Sequence, residues 1–180
     1  ELKKEYPYLR ILTIPYTKAI KNFTYLKALI AYIPRMFLGG LAPIPEDIQV
    51  VYSMTGIITE VLPAFAFKVR KPHLRWVALI DNLVYLDNRR EQLFLIKLIA
   101  YIAFRFSIMM CRKADLILTV SRDVKEGLMK LGIPGNKIVY TSNGIMLDRV
   151  FEVENIEAKL FDGVFLGRLD YSKGVLSLIK

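Results

Sequence analysis

Short apolar runs rich in β-forming residues alternate with stretches of helical periodicity along most of the chain. Four runs are predicted as strands, over residues 48–53, 75–80, 116–120 and 137–140. Helical spacing separates them, most clearly over residues 56–67. Strands joined through helices form parallel sheets that are usually covered on both faces. The sequence therefore predicts an α/β fold built on a doubly wound parallel sheet.

The first part of the chain is predicted to add a strand and a basic helix. Residues 8–15 alternate between apolar and polar side chains and are predicted as a strand that ends at Pro15. Residues 18–33 have apolar residues at helical spacing and are predicted as a helix that ends before Pro34. Residues 35–38 extend the segment beyond that break. Its lysines and aromatic residues are typical of a helix at a membrane interface. An ordinary surface helix with lysines in water explains the same pattern.

Positive charge is concentrated in the first two thirds of the chain. The formal net charge is +9, and residues 1–113 hold 17 Lys+Arg against 8 Asp+Glu, whereas residues 114–180 hold 9 against 9. Three explanations are open: anionic lipid head groups, nucleic acid, or solubility alone. Nucleic acid is not expected, because the sequence has no aromatic RNA-binding motif and no recognisable DNA-reading helix.

Residues 93–111 form the most apolar window and raise the question of a membrane span. Lys97 and Arg105 interrupt it, and with Tyr101 and Arg112 they fall on one side of a helix. We therefore predict an amphipathic helix with a buried face and a basic stripe. The residues proposed to meet a membrane or acceptor are basic and lie in both amphipathic segments: Lys18, Lys21, Lys27, Arg35, Arg89, Arg90, Lys97 and Arg105.

Polar residues follow several of the predicted strands. In open parallel sheets, ligands bind at the carboxyl ends of the strands. The residues in that position are Ser53, Asp81 with Asn82, Ser121, and Ser142 with Asn143 and Gly144. Ser121 can also cap the helix that follows it, and Asn143-Gly144 favours a turn. Cys111 is the only cysteine, which predicts a buried thiol and fits a reducing compartment.

Near the end of the printed sequence, residues 161–174 predict a strand, a tight loop and the start of a helix. The apolar run stops at Gly167, and helical spacing resumes after Gly174. Free amides at a helix start bind anions, and Arg168 and Lys173 add two positive charges. This combination is typical of a diphosphate site, although a solvated turn can carry the same residues.

The segment Gly167-Arg168-Leu169, followed by Lys173-Gly174, resembles the motif that opens the second domain of retaining GT-B glycosyltransferases of family 4. Upstream segments follow in the order that this family shows: residues 114–121, 131–134, 137–140 and 142–145. The resemblance implies a Rossmann-like acceptor domain over residues 1–146, a crossing segment over 147–160, and the beginning of a second Rossmann-like, nucleotide-sugar-binding domain over 161–180.

The resemblance also implies an activity and residue roles. The activity is transfer of a sugar from a UDP- or GDP-linked donor with retention of configuration, and no metal or other cofactor is expected. Gly167, Arg168, Lys173 and Gly174 would bind the donor diphosphate, and Asn143 and Gly144 would lie at the cleft. Asp81 stands where the family usually has a histidine that contacts the donor sugar. It could contact a sugar hydroxyl or cap a loop, and both interpretations stay open.

Two elements of the family have no counterpart in the sequence: the Gly-rich loop after the first strand and the paired glutamates of the second domain. We therefore expect a fragment of a longer enzyme, inactive by itself. The basic segments suggest a lipid-linked or membrane-presented glycan as acceptor, and a cytoplasmic protein with a peripheral position on the membrane. The alternatives are another GT-B-shaped enzyme, such as an epimerase or phosphorylase, and a non-catalytic membrane- or nucleic-acid-binding module.

Overall fold

The computed structural model describes residues 25–86, 94–142, 144 and 165–167, with side chains from residue 31 onward. Its elements follow one another in this order: helix α1 (Tyr25–Leu41), strand β1 (Val50–Ser53), helix α2 (Ile58–Arg70), strand β2 (Arg75–Leu79), helix α3 (Phe94–Cys111), strand β3 (Leu116–Thr119), helix α4 (Arg122–Lys130), a 3₁₀ turn (Gly135–Lys137) and strand β4 (Ile138–Tyr140). The four strands predicted in these ranges are confirmed, each one or two residues shorter. The predicted strand over residues 8–15 lies outside the described residues.

The four strands form one parallel sheet in the order β1-β2-β3-β4. The register pairs Val51 with Trp76, Ala78 with Ile117, and Ile117 with Ile138. These side chains share one face, because alternate residues of a strand point to the same side. They form the core with residues of the three crossover helices, including Val61, Ile108 and Leu128. The predicted α/β class with a parallel sheet is confirmed.

The second face of the sheet is only partly covered. Val50, Tyr52 and Val139 on this face are 54%, 47% and 45% exposed. The strand order advances in one direction, and right-handed crossovers then place all connecting helices on the same face. In the described ranges, the doubly wound arrangement with helices on both faces is therefore not seen. The parallel sheet is confirmed, and the second helical layer stays a prediction, because part of the chain lies outside the described residues.

Helix α1 continues through Pro34, so the predicted helix end before this proline is wrong. An interior proline removes one helical hydrogen bond and costs about 3 kcal/mol. Packing on α2 opposes this cost, since Gly40 is buried and a methyl group there would lie 3.1 Å from the Ala66 Cβ. Arg70 also donates from Nη1 to the carbonyls of Gly40 and Ala42, at 2.7 and 3.0 Å. Tertiary contacts therefore extend the helix to Leu41.

Helix α4 follows β3 as predicted, with Val124 and Leu128 buried. The helix ends at Lys130, and Gly132, two residues further on, has a φ of 85°, the left-handed conformation that favours glycine. The amides of Gly132 and Ile133 donate to the carbonyls of Met129 and Leu128, at 2.9 and 3.1 Å, in a Schellman motif. At the other end, Ser121 occupies the N-cap position, but its side chain makes no capping hydrogen bond, contrary to the prediction.

Candidate functional site

The carboxyl ends of the four strands lie along one edge of the sheet, which we call the carboxyl edge. Ser53 ends β1, Asp81 lies two residues beyond β2, Ser121 lies two residues beyond β3, and Gly144 follows β4. Because the strands are parallel, these residues belong to neighbouring connections at the same edge. The parallel topology thus places these positions after strand ends at one edge, and their role in ligand binding stays a prediction. Asn143 lies outside the described residues.

Asp81 is exposed and lies in the connection that leaves β2. Its Oδ2 accepts a hydrogen bond from Asn82 Nδ2 at 2.9 Å. This bond within the connection agrees with a loop-capping role. The exposure of the carboxylate agrees with contact to a sugar hydroxyl, so both interpretations of Asp81 stay open.

Ser53 has a structural role. It is 3% exposed, and its Oγ accepts a hydrogen bond from Trp76 Nε1 at 3.2 Å. This hydrogen bond pairs the indole N–H with the hydroxyl in the core, where an unpaired polar group would lower the free energy of unfolding. Ser53 is therefore not a candidate for ligand binding.

An open groove of about 560 Å³ lies between the connection after β2 and helices α3 and α4. Its lining includes apolar, tyrosine and charged side chains: Leu83, Val84, Phe104, Leu131, Tyr85, Tyr101, Arg105, Asp123, Glu126 and Lys130. An apolar surface with hydroxyl and charged groups around it suits a sugar, which has apolar ring faces and polar edges. We call this feature the α3–α4 groove.

The connection after β2 packs against helix α4 at Gly127. Leu83 packs so closely on this glycine that a methyl group there would overlap the leucine side chain. Sequence reasoning missed the groove, because its residues come from three separate segments. The only local signal was a glycine inside a helical pattern, which often marks a close contact.

The predicted diphosphate loop is described in part. Leu166 is 98% exposed, and neither it nor Phe165 lies in a strand, although both were predicted in one. Gly167 is exposed as well, and a methyl group there would lie 3.4 Å from Phe165 Cζ, an ordinary contact distance. Arg168, Lys173 and Gly174 lie outside the described residues. Diphosphate binding by this loop stays a prediction.

The residues predicted to form a basic surface have different environments. Arg105 is exposed on α3, and Lys97 on the same helix is half-buried. Arg35 on α1 is also half-buried, with its guanidinium carbon 5.6 Å from the centre of the Tyr32 ring, and Lys27 lies in the same helix. The other members of the set lie outside the described residues: Lys18, Lys21, Arg89 and Arg90.

The predicted basic stripe of α3 needs correction. The exposed side of this helix is apolar, with Leu95, Ile99 and Phe106 each about half exposed or more. Arg105 and Arg112 are exposed beside these apolar residues. The sequence predicted a buried face and a basic stripe. The structure exposes Arg105 and Arg112 of that stripe, leaves Lys97 half-buried, and adds exposed apolar residues that the prediction did not include.

A second polar cluster lies at the amino edge of the sheet, where strands β2 and β3 begin. Asp115 Oδ2 accepts hydrogen bonds from Lys68 Nζ at 2.9 Å and from the Trp76 amide at 2.7 Å, and Arg75 Nη1 lies 3.6 Å from Oδ1. Lys68 Nζ also donates to the Leu74 carbonyl. Sequence reasoning missed this cluster, because Lys68 and Asp115 are far apart in the chain.

Burial by itself raises the pKa of Asp115, but this effect is outweighed. The hydrogen bonds from Lys68 and the Trp76 amide, together with the charges of Lys68 and Arg75, hold the pKa below its usual value. Asp115 is thus an ionised structural residue at the edge opposite the candidate site. Nearby, burial raises the pKa of Cys111 to about 12, as expected for an inert buried thiol.

Comparisons with protein-family models, with curated proteins and with solved structures gave no match. Within the described ranges, no three His, Cys, Asp or Glu side chains come together in an arrangement that could hold a metal ion. The candidate site consists of the exposed carboxyl edge, with Asp81, and the α3–α4 groove. Its groups can donate and accept hydrogen bonds and can pack against a sugar ring.

Proposed function

We propose that this protein is a retaining glycosyltransferase of the GT-B type, which moves a sugar from a UDP- or GDP-linked donor to an acceptor. The observation that carries the proposal is the ordered set of motifs from residue 114 to residue 174, which resembles family 4. The parallel sheet supports it, because such sheets bind ligands at the carboxyl edge.

The chemical requirement of this reaction is to stabilise the diphosphate as its bond to the sugar weakens. In the proposed mechanism, Arg168 and Lys173 hold the diphosphate oxygens, and the amides that follow Gly174 add the positive end of a helix dipole. In this mechanism the positive charges are in place before the reaction, and their attraction to the diphosphate grows as the leaving group becomes more negative. Loss of one such donor typically costs about 3 kcal/mol of transition-state stabilisation.

For the acceptor, we propose a lipid-linked or membrane-presented glycan that enters the α3–α4 groove. The groove lies beside the connection that carries Asp81, and Tyr85 and Tyr101 in its lining offer aromatic rings and hydroxyls. The exposed apolar side of α3 adjoins it, because Arg105 lines the groove and Phe106 lies next in the helix. A lipid-borne acceptor would thus approach the groove from the apolar side.

Calorimetric titration of the complete protein with UDP and GDP tests the donor site. We expect one nucleotide to bind, and the affinity to fall by about tenfold or more in Lys173→Ala, because the lysine contributes a charged contact to the diphosphate. Lys113→Ala is the matched control, since it removes an exposed lysine just beyond the end of α3 that does not line the groove. Far-UV circular dichroism reports whether each variant is folded.

Equal affinity of the two lysine variants would contradict the proposed role of Lys173. Failure of the folded complete protein to bind either nucleotide would overturn the glycosyltransferase proposal. In that case a non-catalytic membrane-binding module becomes the better explanation, and the exposed apolar side of α3 is the observation that favours it.

A further inference from the structure

Helix α3 has the length and composition of a membrane span but only partial burial. Its 18 residues have a mean hydropathy of 1.9, and 28% of them are buried in the protein. The core helix of a soluble protein of this hydropathy would be mostly buried. Helix α3 therefore has more apolar residues than the described core buries.

The helix is nevertheless fixed in the fold, because its carboxyl-terminal half supplies core residues. Phe104, Ile108 and Cys111 are 7%, 2% and 0% exposed and pack with strand residues such as Ile117. Crossing a bilayer would remove these side chains from the core and break up the cluster. The carboxyl-terminal half of helix α3 is thus fixed within the fold.

The exposed side of α3 is a continuous apolar stripe. Its members recur at helical spacing and are 45–64% exposed: Leu95, Ile99, Ile102, Phe106 and Met109. At about 100° per residue they fall within an arc of about 80°, on the side opposite Phe104 and Cys111. We call these five residues the α3 stripe.

The charges that helix α3 itself carries have one sign, although Asp123 and Glu126 of α4 face Arg105 across the groove. Residues 94–113 contain four Lys+Arg and no Asp or Glu. Arg105 and Arg112 are exposed along one flank, and Lys113 is exposed just beyond the end of the helix. Arg112 is held in place, since its Nη2 donates to the Leu131 carbonyl at 2.9 Å. A helix with an apolar face and one basic flank complements an anionic lipid surface.

We propose that helix α3 docks this protein on an anionic bilayer. The α3 stripe enters the boundary between head groups and acyl chains, while Arg105, Arg112 and Lys113 lie at the level of the lipid phosphates. This docking goes beyond the proposed sugar transfer and does not depend on it. It would also orient the groove beside Arg105 toward the membrane surface.

Sedimentation with vesicles tests the docking on the complete protein. We expect binding to phosphatidylcholine vesicles containing phosphatidylglycerol to be about tenfold or more stronger than to pure phosphatidylcholine. The double variant Ile99→Ser, Phe106→Ser should lose about tenfold or more of the anionic-vesicle affinity. The matched control is Ile57→Ser, Val69→Ser, in which two exposed apolar residues outside the stripe are replaced.

A stripe variant that sediments like the wild type, with an unchanged far-UV circular dichroism spectrum, would overturn the proposal. Equal binding of the wild type to neutral and anionic vesicles would overturn the electrostatic part. A second reporter is Phe106→Trp, whose emission should shift to shorter wavelength when anionic vesicles are added. Binding that lacks this shift would overturn insertion of the stripe. If the control pair loses as much affinity as the stripe pair, the site is not α3.

Discussion

The two edges of the sheet are built in opposite ways. At the amino edge, Lys68, Asp115 and the Trp76 amide form a hydrogen-bonded cluster, and Lys137 Nζ donates to the carbonyls of Arg112 and Ala114 at 3.1 and 2.9 Å. At the carboxyl edge, the Asp81 carboxylate is exposed and is bonded to the adjacent Asn82, in the same connection. The amino edge joins separate elements through charged side chains, whereas Asp81 joins none of the elements that the structure describes.

This difference separates charged residues that hold the fold from charged residues that are accessible to a ligand. Asp115 is ionised and bonded within the protein, so it has little capacity for a ligand. Asp81 has the same chemistry and remains accessible. Substitutions at the two positions should therefore separate stability from function.

Asp115→Ala should have the largest effect on stability. It leaves the Lys68 ammonium, whose side chain is 18% exposed, without its carboxylate partner and removes the acceptor of the Trp76 amide. We expect the free energy of unfolding to fall by about 3 kcal/mol. Urea unfolding followed by Trp76 emission measures this loss. Asp47→Ala, at an exposed loop aspartate, is the control and should change little. A loss below about 1 kcal/mol would mean that the cluster contributes as little as a surface ion pair.

The contribution of Asp115 should depend on pH. Its folded-state pKa is lowered, so its stabilising effect is complete above the unfolded value of about 3.9 and is lost as the pH falls through the folded value. The difference in unfolding free energy between the wild type and Asp115→Asn should therefore be constant from about pH 5 to about pH 8 and should shrink below about pH 4. A difference that grows on acidification would contradict a lowered pKa.

Asp81→Asn should have the smallest effect on stability, within about 0.5 kcal/mol, because the side chain is exposed and bonded to its neighbour alone among the residues described. The same urea measurement tests this expectation. Activity then distinguishes the two interpretations of Asp81. Contact with a donor sugar predicts a loss of about tenfold in kcat/KM, and a loop cap predicts no loss. Destabilisation as large as that of Asp115→Ala would remove the contrast between the two edges.

The strands could be predicted from sequence because their signal is local. Residues 75–79 and 116–119 are short apolar runs between polar segments, and such runs fit a buried parallel strand whatever their neighbours are. The grouping of Asp81, Ser121 and Gly144 followed from the same pattern, since parallel strands bring their carboxyl ends to one edge. The continuation of helix α1 through Pro34 could not be predicted from the local sequence, because it depends on packing against α2.

The sequence by itself determined the α/β class, the parallel sheet and the candidate residues of the carboxyl edge, because periodicity and the order of elements carry that information. Only the tertiary structure decided which charges are bonded and which apolar residues stay outside. Lys68 meets Asp115, and the α3–α4 groove forms, through contacts between distant segments. The exposure of the α3 stripe could not be predicted from the sequence either, because an apolar residue in a helix gives the same sequence pattern whether it is buried or exposed.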